Sequence, residues 1–318
     1  CDVVTVFDAN SKLPIRYVSV GTLPNIESPH MIKVSNDNQY WYAIMLAGKV
    51  LQKFRTSDNS LVGSINIGYG SWNTFVLTPD GRKAFAVDFT GKISYLDLEN
   101  LTVIYNYPGY GNPHGIAINK NSSKLYVTAQ YSDYITKIKI SDPEAPEDSV
   151  IKLGGGQFPH EVAFSPDETK YFVTCQKTND VRVFDNSTDK LIATIPTGDF
   201  PLEMSFSKDF PYLFVSCQED QAFAPGKGSI AIINYQTNTL IKKIYSGYEP
   251  HGIAVDDINK RVFITNRNTR SQGPAPHHSS ICGGRNGYVT LIDMNTLELV
   301  QGYKIEVSVD PYGAGITH

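Results

Sequence analysis

The chain has 318 residues, 28 basic against 32 acidic side chains for a net charge of −4, and 41% apolar residues. That is ample apolar material for a large core. No stretch approaches the roughly eighteen apolar residues that span a bilayer. No basic run gives a nucleic-acid partner its electrostatic footprint.

Residue 1 is cysteine, which has two readings. It is the lipid-bearing first residue of a bacterial lipoprotein, or only the point where this stretch of chain starts. Residues 3–7 and 15–19 read as strands, so a strand begins almost at once. From residue 29 a repeat takes over. Its marker dipeptides are Pro29-His30, Ser71-Trp72, Pro113-His114, Pro159-His160, Pro201-Leu202, Pro250-His251 and Pro311-Tyr312, with second residues spaced by 42, 42, 46, 42, 49 and 61. A period near forty with strand patterning and no helical pattern predicts propeller blades.

The repeat beginning at 159 shows the template. Residues 161–164 form a first strand, and Ser165-Pro-Asp-Glu168 turns the chain with Pro and Asp where a type I turn favours them. Residues 170–174, 180–184 and 191–195 supply three more strands separated by turn clusters. The expected fold is an all-β, seven-bladed propeller in one domain, with four-stranded antiparallel blades at about 28–68, 71–110, 113–156, 159–198, 201–247 and 250–305. The seventh blade is split, joining 311–318 to 1–21. Its first strand is expected at 314–317 and two others at 3–7 and 15–19, so the terminal strands close the ring and no edge is left open. No stretch supplies that blade's second strand. Two loops depart from the template, a short extension at 218–228 and a longer one at 266–287, and long loops on a compact scaffold usually carry function.

Pro113-His114-Gly-Ile-Ala117 with Leu125-Tyr-Val-Thr128, and Pro250-His251-Gly-Ile-Ala254 with Phe263-Ile-Thr-Asn266, resemble the forty-residue YVTN β-propeller repeat. The resemblance covers essentially the whole chain. It implies a YncE-like or surface-layer-associated propeller, exported beyond the cytoplasmic membrane. It leaves function open, because the fold serves binding, scaffolding and some redox enzymes.

The repeat is expected to bring His30, Trp72, His114, His160, Leu202, His251 and Tyr312 to equivalent places around one axis. Two readings of the histidines follow. His30, His114, His160 and His251 could converge on a transition metal, copper being the most plausible, an arrangement similar to the axial histidines of nitrous oxide reductase. Alternatively, each imidazole braces an inter-blade turn by hydrogen bonding to a neighbouring carbonyl. Cys175 and Cys217 occupy one repeat position, and Cys282 lies in the long loop near His277 and His278. Export permits a bridge, Cys217–Cys282 or Cys175–Cys217, and a Cys/His metal site from Cys282, His277 and His278 is the alternative. Glu161, Glu203 and Glu249 stand beside the marker positions as possible acids or bases.

No G-x-S-x-G, H-E-x-x-H, P-loop or C-x-x-C pattern occurs. The leading expectation is therefore a non-catalytic, extracytoplasmic propeller. It binds a small ligand or protein partner on its histidine-bearing face through Trp72, His114, His160, His251 and Tyr312, with the 266–287 loop shaping the surface and Cys1 a possible lipid anchor. A metal-binding protein or metalloenzyme is the alternative, and a scaffold within an envelope complex is the third.

Overall fold

The computed structural model describes residues 2–24, 26–140, 146–276 and 284–318. Among them are 26 strands and no helix. Val3–Phe7 and Pro14–Ser19 pair only with each other. The remaining strands form six four-stranded sheets at 29–66, 72–108, 113–152, 159–196, 199–248 and 250–309, each with its strands side by side in chain order. The chain divides into two compact units, Cys1–Val162 with Thr317–His318, and Ala163–Ile316. The boundary falls within Pro159–Phe164, the first strand of the fourth sheet.

The structure corrects the expected blade number from seven to six. The pair Val3–Phe7 and Pro14–Ser19 gains no third or fourth strand, and residues 311–318 form no strand. The sequence there, Pro311-Tyr-Gly-Ala-Gly315, explains why: proline removes a ladder donor, and two glycines weaken the extended state.

Burial explains the strand patterns. Second strands such as Lys124–Ala129 and Lys170–Cys175 are buried along all but their first residue. Both faces meet protein, so their sequences run apolar continuously instead of alternating. Fourth strands such as Glu147–Lys152 and Leu191–Pro196 are mostly exposed. The first carries charged residues, which suits a sheet edge, and the second ends in proline. Neighbouring sheets share cores. In the N-terminal unit Ile44 and Leu51 of the first sheet pack with Phe75 and Leu96 of the second. Phe85 and Ile93 of the second pack with Ile116 and Val127 of the third. In the C-terminal unit Val181 and Val183 meet Leu213 and Val215, and Phe214 and Ile230 meet Ile264 and Ile292.

A hydroxyl at the end of the second strand ties the marker segments together. Thr128 Oγ1 accepts the Gly115 N–H at 2.7 Å and donates to the His160 carbonyl at 3.0 Å. Thr265 repeats the pattern, accepting from Gly252 at 2.8 Å and donating to the Tyr312 carbonyl at 2.9 Å. Thr174 donates to the Leu202 carbonyl at 2.9 Å. The Thr128 hydroxyl thus satisfies a backbone donor of its own sheet and a buried acceptor of the next. The glycine of Pro-His-Gly belongs to the same contact. A Cβ on Gly115 would lie 2.5 Å from the His160 oxygen, and one on Gly252 would collide with the Tyr312 oxygen.

Replacing Thr128 by Val, nearly the same volume, strands the Gly115 N–H and leaves the His160 carbonyl only its bond from His114 Nδ1. A loss of about 1–3 kcal/mol is expected, read as a lower urea midpoint. Thr128→Ser keeps the hydroxyl and is expected to lose less than half as much. Equal losses for the two variants would contradict the bridging role.

Candidate functional site

The marker positions are aligned by a bulge. In the first strand of five sheets the pairing slips by one residue, after the marker proline in four of them, as between Pro113 and Ile116 opposite Ala129 and Val127, and after Trp72 in the second sheet. A bulge re-aims the side chain that follows it. Pairing to the last residue of the second strand makes Pro29, Trp72, Pro113, Pro201 and Pro250 equivalent, opposite Met45, Asp88, Ala129, Cys217 and Asn266. The counterpart of His30 and His114 in the second sheet is therefore Asn73, not Trp72. Trp72 takes the proline's place, 0% exposed in the apolar core, with Nε1 donating to the Gly68 carbonyl at 2.9 Å and the Lys92 ammonium 4.5 Å from its ring. It offers no contact area to a ligand, which corrects the expectation placed on it.

The histidines of the N-terminal unit form a braced row. His30 Nδ1 donates to the Asn73 carbonyl at 2.5 Å, and His114 Nδ1 to the His160 carbonyl at 3.2 Å. Each ring bonds the backbone of its counterpart in the following sheet, and Asn73 Nδ2 reaches the Pro113 carbonyl at 3.4 Å. A carbonyl only accepts, so Nδ1 carries the proton in both rings. The His30 and His114 ring centres are 6.4 Å apart, and those of His114 and His160 are 3.9 Å apart. Burial, then the positive field His30 exerts when protonated, push His114 down to about 3 against the opposing pull of its hydrogen bond. It is a neutral imidazole at physiological pH. Among the described residues no group of three or more His, Cys, Asp or Glu side chains could hold a metal ion.

In the C-terminal unit His251 packs on Tyr312 with ring centres 4.3 Å apart. Arg267, just past the second strand of the sixth sheet, lies 4.3 Å above the Tyr312 ring and forms two bonds to Asp310, at 2.5 and 3.1 Å. Glu249, buried, accepts from Thr269 N and Oγ1 at 2.7 and 2.6 Å and pairs with Arg270 at 3.2 Å. Arg270 also pairs with Glu219. Glu249 and Asp310 each precede a marker proline and hold positive φ, 54° and 52°, as do Ser28, Asn112, Phe158 and Phe200. A left-handed non-glycine residue before proline is costly, and here the loop arginines help hold two of these turns. Glu249 is thus a structural anchor for the 266–287 loop. Glu161 and Glu203 are buried beside His160 and Leu202.

Cys175 and Cys217 are free and buried. Each thiol lies against a carbonyl of its own strand, Val173 or Val215, at 3.9 Å, which corrects the Cys175–Cys217 bridge. Burial pushes Cys217 up to about 11, so both are protonated packing residues. Cys1, His277, His278 and Cys282 lie outside the described residues.

The sequence reading missed a cleft of about 440 Å³ within the C-terminal unit. Tyr288 and Tyr303 are buried in its wall, and Tyr245 and Tyr248 are half-buried. The Lys227 ammonium is 4.9 Å from the Tyr245 ring centre and that of Lys304 is 4.5 Å from Tyr288. Both unusual loops reach it, one through Lys227 and the other through Gln272, Gly273 and Pro274. They close on Tyr248, whose ring would be 3.7 Å from a Cβ on Gly226 and 3.3 Å from one on Gly273. Asn268 and Arg285 fix the second loop, Nδ2 donating to the Pro274 carbonyl at 3.0 Å and a guanidinium nitrogen to the Gly273 and Pro274 carbonyls at 2.7 Å. The loop lengths were the available signal. The aromatic wall was hidden because Tyr245, Tyr248 and Tyr303 sit on fourth strands and read as ordinary edge residues, and Tyr288 lies near the start of a third strand like any other.

Residues 114–301 match the family model described as the choice-of-anchor I domain. No curated protein sequence matches the chain. Among solved structures, the chain is similar to hydrazine synthase of Kuenenia stuttgartiensis, at 17% identity and a TM-score of 0.76 over 94% of this chain and 92% of that one. It is also similar to a functionally unknown protein from Desulfotomaculum acetoxidans DSM 771, at 14% identity and TM-score 0.75, covering 98% and 94%. A third is the dihydro-heme d1 dehydrogenase NirN, at 13% identity and TM-score 0.63, covering 96% and 71%. At these identities the likeness establishes the fold, a β-propeller of four-stranded antiparallel blades.

The His114 environment gives a pH signature. Its folded pKa lies below the ordinary value of 6.5, so between the two the unfolded chain binds a proton that the folded chain refuses. Its neutral form costs no stability above about pH 7, and stability falls as pH drops through 6.5 toward 3. The urea midpoint of the wild type minus that of His114→Gln is expected to shrink across this window. A difference independent of pH would contradict the assignment.

Proposed function

Because this chain belongs to the choice-of-anchor I domain family, we propose that it is a propeller acting outside the cytoplasmic membrane, at a cell surface, which binds its ligand without transforming it. The family's name, with its reference to an anchor, and the YVTN-like repeats both support that setting. The observation that carries the binding role is the convergence of the two unusual loops on one tyrosine-walled cleft. Concave sites with aromatic walls and a few polar groups are the usual form of a small-ligand site. No nucleophile, base and orienting group meet in the motifs that hydrolytic chemistry uses.

The alternative, a copper centre on His30, His114, His160 and His251, draws on nitrogens of which two, Nδ1 of His30 and of His114, are turned to backbone carbonyls. That favours the bracing role. Stoichiometric copper in untagged protein, lost in His114→Ala with His251→Ala, would reverse the choice.

Protease-treated cell-envelope fragments test the binding role. Wild-type protein is expected to co-sediment with them, and a variant with 271–275 replaced by Gly-Ser-Gly is expected to stay in solution while keeping its thermal midpoint within about 2–4 °C. Equal sedimentation of the two proteins, or none by either, would overturn the assignment of binding to the cleft.

A further inference from the structure

The cleft carries charge of one sign. Its lining includes Lys227 and Lys304 and no aspartate or glutamate, in a chain whose net charge is −4. Among the described residues neither lysine has a carboxylate within salt-bridge distance; each rests on a tyrosine face, over Tyr245 and Tyr288. Cations held this way keep their charge for a ligand. This contrasts with Lys243, Lys242 and Arg270 of the same unit, which pair with Asp220, Glu298 and Glu219.

Beside the two ammonium groups the wall supplies aromatic rings and the amides of Gln272 and Gln301. Rings, neutral hydrogen-bonding groups and separated cations suit a molecule with flat apolar faces, many hydroxyls and negative charges. An acidic peptide is the competing anion, and would add as a strand to the exposed edge 298–309. That edge is interrupted where it forms the cleft wall: Gly302 has φ +72°, and pairing to the neighbouring strand slips between Thr290 and Ile292. A bulged edge is a poor template for strand addition. Sugar rings need no such ladder, and their C–H faces pack on tyrosine.

We propose that the cleft between the loops at 218–228 and 266–287 binds an acidic polysaccharide, its carboxylates or sulfates meeting Lys227 and Lys304 and its rings lying against Tyr245 and Tyr248. This rests on the binding reading above and names the ligand class for that same cleft.

Calorimetric titration of the full chain with oligogalacturonate, with a neutral cello-oligosaccharide of equal length and with oligoglutamate tests it. Oligogalacturonate is expected to bind at least tenfold tighter than either of the others, and less tightly as salt rises. Lys227→Gln with Lys304→Gln, and separately Tyr245→Ala, are each expected to weaken it about tenfold or more, while Lys208→Gln, an exposed lysine outside the lining, leaves it unchanged. Equal binding of the neutral sugar, or tighter binding of oligoglutamate, would overturn the acidic-glycan class. Absence of binding by all three probes, with loop-dependent sedimentation on envelope fragments intact, would also overturn it while leaving the binding role in place. Loss of both results would remove the two together.

Discussion

A single hydroxyl, at the end of the second strand, is the contact on which the marker segments depend. In Thr128 it accepts from the backbone of its own sheet and donates to the His160 carbonyl in the first strand of the next, and Thr265 makes the same pair of bonds to Gly252 and to the Tyr312 carbonyl beyond the last strand. The glycine after histidine sits where the two backbones come too close for a Cβ. The motif words Pro-His-Gly and Tyr-Val-Thr thus describe the two sides of one joint. Imidazoles at the joint close it further by bonding the same run of carbonyls.

That joint separates scaffold from site. The residues that repeat most faithfully are buried and spend their polar groups on backbone, where a buried donor or acceptor left unpaired is expensive. What remains free to recognise another molecule is what departs from the repeat. The two extended loops depart in length, and the cleft they reach holds Lys227 and Lys304, each over a tyrosine ring. The arginines of the long loop connect the two regions. Arg267 and Arg270 anchor its start on Asp310 and Glu249 at the left-handed turns, and the same loop then reaches Tyr248 in the cleft.

Much of the fold was legible because two-sided burial of second strands writes an unbroken apolar run into the sequence, and Ser-Pro-Asp turns separate the strands. The slip at Trp72 shows the limit of that reading. A dipeptide spaced at 42 residues put Trp72 on the histidine position, whereas a bulge register belongs to pairing across strands and placed Asn73 there. The last blade failed for a related reason. Alternating residues at 3–7 were read correctly, but the glycine-rich end at 313–315 lacks the side chains that hold a strand to its neighbour. The histidines were visible as a set, but their role was not, since imidazole suits a metal and a carbonyl equally until its partner is seen. The cleft was legible only as two unusual loop lengths. Its tyrosines and lysines come from positions that carry no shared pattern across the repeats.

The central claim is that His30 and His114 are structural braces with the proton on Nδ1, leaving recognition to the cleft. Nitrogen-15 spectra of histidine-labelled protein test it most directly. The account predicts that His30 and His114 both carry a proton on Nδ1, that His114 is neutral and shows no titration between pH 8 and 5, and that added copper leaves both rings unchanged. A His114 ring that titrates near 6.5, or that shifts together with His30 when one equivalent of copper is added, would contradict it.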